Sequence, residues 1–187
     1  NQEFFTTLCG AHQAENASLA IEAINCLGDP FSYETINKGL REVKHPCRIE
    51  VFGEKRSIII DGAHNPDAME ALTKTLSAFT REHKIKRILV IFGCMKDKNY
   101  TRMIQLLTGN MRGCTYATAA VEYGRAEDPE RLGEIFAACG KRCIVCDSAA
   151  EAYEISKDGN YGCVLVTGSI YLAGELRSLY LQDHKSL

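Results

Sequence analysis

The sequence predicts an α/β domain of Rossmann-like type, a mostly parallel sheet with helices on both faces. Three observations carry this. From Asp61 onward, short apolar runs alternate strictly with helical patterns, the signature of parallel strands joined by crossover helices. Several of the strand-like runs, among them Ile58 to Ile60 just before Asp61 and Ile88 to Ile91, are continuously apolar, as strands covered on both faces must be. The chain has 187 residues, 45% of them apolar and 25% charged, enough to enclose a core of its own.

The elements follow in order. Gln2 to Leu8 reads as the continuation of a strand begun earlier. From Glu15 to Leu27 apolar residues recur at helical spacing, and Gly28-Asp29-Pro30 stops the run. Ser32 caps a second helix containing Thr35 to Leu40, after which His45-Pro46 forces extended chain. Arg48 to Phe52 and Ser57 to Ile60, separated by Gly53 to Arg56, form a hairpin-like pair. The alternation then gives helices at 67–83, 98–107, 129–139, 149–156 and 171–181. The strands between them are 87–92, 114–119, 142–146 and 163–166. Residues 1–13 are assigned to a linker or the end of a preceding domain and 14–187 to the α/β domain. The first residue is Asn, and we read the chain as part of something longer.

Composition narrows the function classes. Twenty-two Lys and Arg stand against 24 Asp and Glu, a net charge of -2, so there is no electrostatic footprint for nucleic acid. No apolar stretch approaches the length of a membrane span, no secretory leader is recognisable, and Lys185-Ser186-Leu187 is not a peroxisomal ending. Nine cysteines in a chain of this length read as reduced thiols in a cytoplasm rather than as a disulfide scaffold. Cys143 and Cys146 form a C-x-x-C beside Cys139, but a zinc site needs a second pair and this stretch reads as strand. No metal ligands are assigned to the chain.

In open α/β sheets ligands bind beyond the carboxyl ends of the strands. The segments there are Asp61 to Pro66, Gly93 to Lys98, Ala120 to Arg125, Asp147-Ser148 and Thr167 to Ser169. Neither a P-loop nor a G-x-G-x-x-G turn is present. Asp61 can accept two hydroxyls, as ribose recognition requires, or close an Asx turn; the residue alone fits both. Asn65 and Pro66 suit the cap and first turn of the following helix, whereas His64 has no such explanation. Asp97 and Lys98 are either site residues or a solvated turn. Thr167-Gly168-Ser169 is either an anion site or a helix cap. Arg48, at a strand start, and the polar set His12, Gln13 and Asn16 decide nothing by themselves.

As a series they do. Gly10-Ala-His12-Gln13-x-x-Asn16, Pro46-x-Arg48-x-Glu50, Asp61-Gly-Ala-His-Asn-Pro66, Phe92-Gly-x-x-x-Asp97-Lys98, Arg125-Ala126 and Thr167-Gly-Ser-x-Tyr171-Leu-Ala-Gly174-Glu175 resemble the C-terminal domain of folylpolyglutamate and dihydrofolate synthases, in the Mur ligase superfamily. The resemblance covers essentially the whole chain. It departs at Cys47, where the family usually has Gly before the Arg, and at Asn99, where an acid often follows the Asp-Lys pair.

The resemblance implies an ATP-dependent amide ligase that adds L-glutamate to folate or dihydropteroate through an acyl phosphate. A P-loop N-terminal domain would be the partner holding the Mg2+ ligands and most of the folate site. Carried over residue by residue, Asp61 and Arg48 bind ATP, with Asn16, His12 and Gln13 in nucleotide contact or at the hinge. His64 and Ser169 face glutamate or the acyl phosphate, and Asp97 and Lys98 orient glutamate or form a salt bridge within the site. His64, Ser169 and Lys98 are the catalytic candidates. The alternatives are another Mur-type amino-acid ligase and a stand-alone nucleotide- or glutamate-binding module without catalysis.

Overall fold

The computed structural model describes residues 3–28, 31–53 and 56–184. The stop signal at Asp29-Pro30, the middle of the 53–56 turn, Gln2 and the last three residues therefore lie outside the described residues. Helices α1 (Ala11–Cys26) and α2 (Tyr33–Glu42) precede the sheet region. There follow β1 (Glu50–Phe52), β2 (Ser57–Ile60), α3 (Pro66–Glu82), β3 (Ile88–Phe92), α4 (Tyr100–Asn110) and β4 (Cys114–Ala119). The series closes with α5 (Pro129–Ala138), β5 (Cys143–Cys146), α6 (Ala149–Ser156), β6 (Cys163–Thr167) and α7 (Ile170–Asp183).

The sheet order is β1-β2-β6-β3-β4-β5. β1 runs antiparallel to β2, pairing Val51 with Ile59, and the other four pairings are parallel. The period-2 alternation of a strand splits the core in two. Ile58, Ile60, Leu89, Ile91, Val164 and Val166 point to one side, against Ala152 and Tyr153 of α6 and Leu172 and Leu176 of α7. Ile59, Val90, Phe92 and Leu165 point to the other, against Leu72 and Leu76 of α3, Met103 and Leu107 of α4, and Leu132 and Phe136 of α5. Both faces are thus covered, which is why these strands tolerate no polar alternation.

The caps explain the helix starts. Asn65 accepts from the Ala68 amide at 2.8 Å with Pro66 in the first turn, Asn99 accepts from Arg102, and Ser32 from Thr35. Asn99 is therefore accounted for as a cap. Glu3 to Leu8 forms no strand, contrary to the sequence expectation. These residues instead hang on α2 and its C-terminal end: Asn37 accepts from the Phe5 amide, and Thr7 donates to the Val43 carbonyl. Helix α1 begins at Ala11, four residues before the predicted start, so the 13/14 division falls inside a helix. Only Gln13 of α1 is buried, and Leu19 remains 70% exposed.

The topology also locates a crevice. β2 leads into α3 on one face, β6 into α7 on the other, and β3 back to the first face, so the connections diverge on both sides of β6. This is the switch-point geometry at which ligands enter open α/β sheets.

Candidate functional site

At that crevice lies a cleft of about 340 Å³, lined by His12, His45, Arg48, Asp61, His64 and Ile170 among others. Asp61 stands at the end of β2, 7% exposed. Its Oδ1 accepts from the Ala63 amide at 2.8 Å and its Oδ2 from the Ile49 amide at 2.9 Å. The Asx-turn role is thus real, yet an ionised carboxylate has about four acceptor positions and these bonds use two. Burial pushes the Asp61 carboxyl above the usual aspartate range, against the pull of the Ile49 and Ala63 amides and of the Arg48 and His12 charges.

The second wall of the cleft is the turn Cys47-Arg48-Ile49. Cys47 has φ 59° and Ile49 φ 45°, the left-handed region that costs a side-chain-bearing residue about 1–2 kcal/mol. A glycine before the Arg would meet this geometry without strain, so the departure at Cys47 leaves the turn in a glycine-like shape. Several bonds hold it there. Beyond the Asp61 bond to Ile49, the Gly62 amide donates to the Cys47 carbonyl at 2.7 Å, and the Cys47 amide donates to Glu50 Oε2 at 3.0 Å. Gly62 suits the close approach: a Cβ there would lie 2.6 Å from Ile170 Cδ1.

His64 is exposed at the rim, with Nδ1 2.9 Å from the Gly62 carbonyl. A proton on Nδ1 donates to that carbonyl and leaves Nε2 as an acceptor in the neutral ring. His12 lines the cleft from α1; its Nε2 lies 2.8 Å from Gln13 Nε2, and Asn16 Nδ2 donates to Gln13 Oε1 at 3.1 Å. The structure therefore brings together Asp61, Arg48, His64 and His12, with Gln13 and Asn16 behind His12.

The remaining predicted residues stand elsewhere. Ser169 is 2% exposed and caps α7, accepting from the Tyr171 amide at 3.1 Å, while the Gly168 amide donates to the Ala63 carbonyl. Two of the amides of the predicted anion site are thus engaged within the protein. Asp97 and Lys98 do not line the cleft and pair with each other at 3.3 Å. Their loop is tied to the β4 loop, the Lys96 amide donating to the Arg125 carbonyl. His45, which no motif marks, also lines the cleft. Nor does the motif series, which contains Tyr171 and Arg125, mark the stacked pair Tyr123 and Tyr171, rings 4.2 Å apart with Arg125 over Tyr123.

The C-x-x-C reading is explained by strand geometry. Residues i and i+3 of a strand face opposite sides, and Cys146 packs with α6 and α7 while Cys143 packs on the α5 side. Burial raises both thiols to about 11, and among the described residues no cluster of three His, Cys, Asp or Glu could hold a metal ion. Among them, too, no helix is long and apolar enough to cross a membrane.

Residues 47–170 match the family described as Mur ligase, glutamate ligase domain. The chain belongs to this family. It is 30% identical over 176 residues to a probable bifunctional folylpolyglutamate synthase/dihydropteroate synthase of Haloferax volcanii, covering 92% of this chain and 20% of that protein. To the dihydrofolate synthase/folylpolyglutamate synthase of Bacillus subtilis it is 29% identical, covering 94% of this chain and 41% of that one. It thus spans well under half the length of these relatives. Among solved structures, E. coli FolC in complex with DHPP and ADP superposes with a TM-score of 0.83 at 24% identity, over 100% of this chain and 42% of that one. The folylpolyglutamate synthase of Thermotoga maritima gives 0.76 at 26%, over 97% and 41%. The Mur ligase C-terminal fold is the one these superpositions show.

Proposed function

We propose that the chain is the ATP- and glutamate-facing part of an ATP-dependent ligase that joins L-glutamate to folate, and to dihydropteroate where the parent protein accepts it. The observation that carries this reading is the convergence of Asp61 and Arg48 on one switch-point cleft, on a turn held in place by the protein's own amides. The E. coli relative's complex with ADP and the names of the curated relatives support it.

In this reading a folate carboxylate oxygen attacks the γ-phosphorus of ATP, ADP leaves, and an acyl phosphate forms. The amine of glutamate then attacks the acyl carbon, phosphate departs with the C–O bond, and the amine loses a proton. Asp61 accepts from nucleotide hydroxyls through its two remaining acceptor positions. Arg48 lies along the phosphates and offsets negative charge as the phosphoryl group moves. His64, with Nε2 free, faces the incoming amine and takes its proton. Residues preceding this chain supply the P-loop and the Mg2+ ligands, and no step is assigned to a metal held here. Ser169 acts through the α7 cap. The setting is the cytoplasm, with neither nucleic acid nor membrane as partner.

A second reading has one specific observation behind it. The chain is 28% identical over 172 residues to the UDP-N-acetylmuramoyl-L-alanyl-D-glutamate--2,6-diaminopimelate ligase of Geobacillus kaustophilus, so another Mur-type ligase is the competitor. Steady-state kinetics of the full-length protein test the roles. Asp61→Ala should raise the KM for ATP more than that for glutamate, and His64→Ala should damage glutamate use or kcat; reversed profiles overturn the assignments.

A further inference from the structure

Glu50 stands in the Pro46-x-Arg48-x-Glu50 series, and nothing in the cleft chemistry uses it. Its carboxylate forms a fork-to-fork pair with Arg177, 127 positions away on α7. Arg177 Nε donates to Oε2 at 2.7 Å and Nη2 to Oε1 at 2.9 Å, the two-bond geometry that fixes orientation as well as charge. Both side chains are largely withdrawn from solvent, at 29% and 22% exposure for Arg177 and Glu50. The same Oε2 also accepts from the Cys47 amide at 3.0 Å. Burial alone would raise the Glu50 carboxyl, but Arg177 and the Cys47 amide outweigh it and hold the group below the usual glutamate range.

The turn so gripped is the one that presents Arg48. Both of its flanking residues, Cys47 and Ile49, sit in the left-handed region, and for a β-branched residue such as Ile49 that conformation persists only when surrounding bonds over-determine it. Asp61 supplies one such bond, on the Ile49 amide; Glu50 supplies its counterpart on the Cys47 amide. The two carboxylates thus clamp the turn from opposite ends. Since Arg177 lies on α7, whose start at Ile170 lines the cleft, the clamp also ties that helix to the turn.

We infer that Glu50 and Arg177 are positioning residues for nucleotide binding, acting through the Cys47 backbone to hold Arg48 on the cleft. This rests on the reading of Arg48 as a phosphate ligand. Neither side chain touches the nucleotide. Their contribution is to make the left-handed turn the resting state, so that ordering Arg48 is not deducted from binding.

The test uses the full-length protein, with calorimetric binding of Mg-AMPPNP and steady-state KM values for ATP and glutamate. Arg48→Ala comes first and should weaken AMPPNP binding more than about tenfold. Should it leave binding unchanged, the phosphate reading of Arg48 fails, and the inference with it. Glu50→Ala and Arg177→Met should each weaken AMPPNP about tenfold, equivalent to ~1.4 kcal/mol, and raise the KM for ATP in step while glutamate KM moves less than about twofold. Adding Cys47→Gly to Glu50→Ala should restore most of the lost affinity, because glycine adopts the left-handed turn without help. A merely structural role would not be rescued in this way. Arg177→Lys, which keeps the charge and loses the fork, is the milder variant and should fall between wild type and Arg177→Met. The inference is overturned, with the Arg48 reading intact, if Arg48→Ala impairs binding and the Glu50 and Arg177 variants do not. It is equally overturned if their loss strikes both substrates alike and Cys47→Gly restores nothing.

Discussion

Replacing Asp61 tests whether the cleft is built as described, independently of any substrate. The carboxylate is buried and holds two amides, Ala63 at 2.8 Å and Ile49 at 2.9 Å. An amide stranded in so buried a place costs about 1–3 kcal/mol. Alanine strands both, whereas asparagine offers one carbonyl oxygen and turns an NH2 group toward the other amide. Part of the loss is returned, since neither replacement has a charge to desolvate and burial already disfavours the ionised aspartate. The net expectation is about 2–4 kcal/mol for Asp61→Ala and about 1–2 kcal/mol for Asp61→Asn. For a unit of this size that lowers the melting transition by roughly 4–16 °C and roughly 2–8 °C respectively. Calorimetric melting of the full-length protein reads the transition, and hydrogen exchange at the Ile49 and Ala63 amides reads the cause. Melting within about 1 °C of wild type for both variants, with both amides still protected, would refute the two-amide account of Asp61.

Three further expectations follow from other parts of the fold. A methyl group at Gly168, where φ is +102°, would lie 2.6 Å from the Gly93 carbonyl oxygen and 2.7 Å from the Phe92 ring. Gly168→Ala should therefore destabilise by about 2–5 kcal/mol, combining backbone strain with overpacking; a variant melting like wild type removes that close approach. Because Glu50 is held below its ordinary 4.5, its contribution is present above that value and lost as pH falls through the lowered one. The melting gap between wild type and Glu50→Gln should be widest near neutral pH and close at acid pH, and a gap that grows on acidification contradicts the pairing. Among the thiols, exposed Cys9 and Cys26 should react readily with an alkylating reagent. Cys94 and Cys163, pushed up to about 12 by burial, should react only on unfolding, as peptide mass mapping would show.

The sheet was legible because its strands are buried on both faces. Ile58 to Ile60 and Ile88 to Phe92 announce themselves as unbroken apolar runs, and β2 and β4 lie where the sequence places them. Strand order was not legible: β6 sits between β2 and β3, and a run of apolar residues says nothing about its neighbour. The start of α1 is not legible, because Ala11 to Ala14 carries no apolar period and the Gly10 that precedes the helix offers no side-chain cap. Around the cleft, the motifs mark Asp61, Arg48 and His64, which line it. The Glu50–Arg177 pair could not, since it joins residues 127 positions apart, and the left-handed Ile49 breaks the local preference by which a sequence is read. Ser169, Asp97 and Lys98 show the opposite case, in which a motif marks a residue whose visible work is capping or a surface ion pair.

The proposed function, completion of a glutamate ligase acting on a pteridine-bearing carboxylate, is tested by incubating the full-length protein with Mg-ATP, L-glutamate and either folate or dihydropteroate, following phosphate release and product mass. Phosphate should be released only when all three substrates are present, with a product heavier by one glutamyl residue and no activity in Arg48→Ala. Turnover with a UDP-muramyl peptide in place of either pteridine, or none with any acceptor, would contradict it.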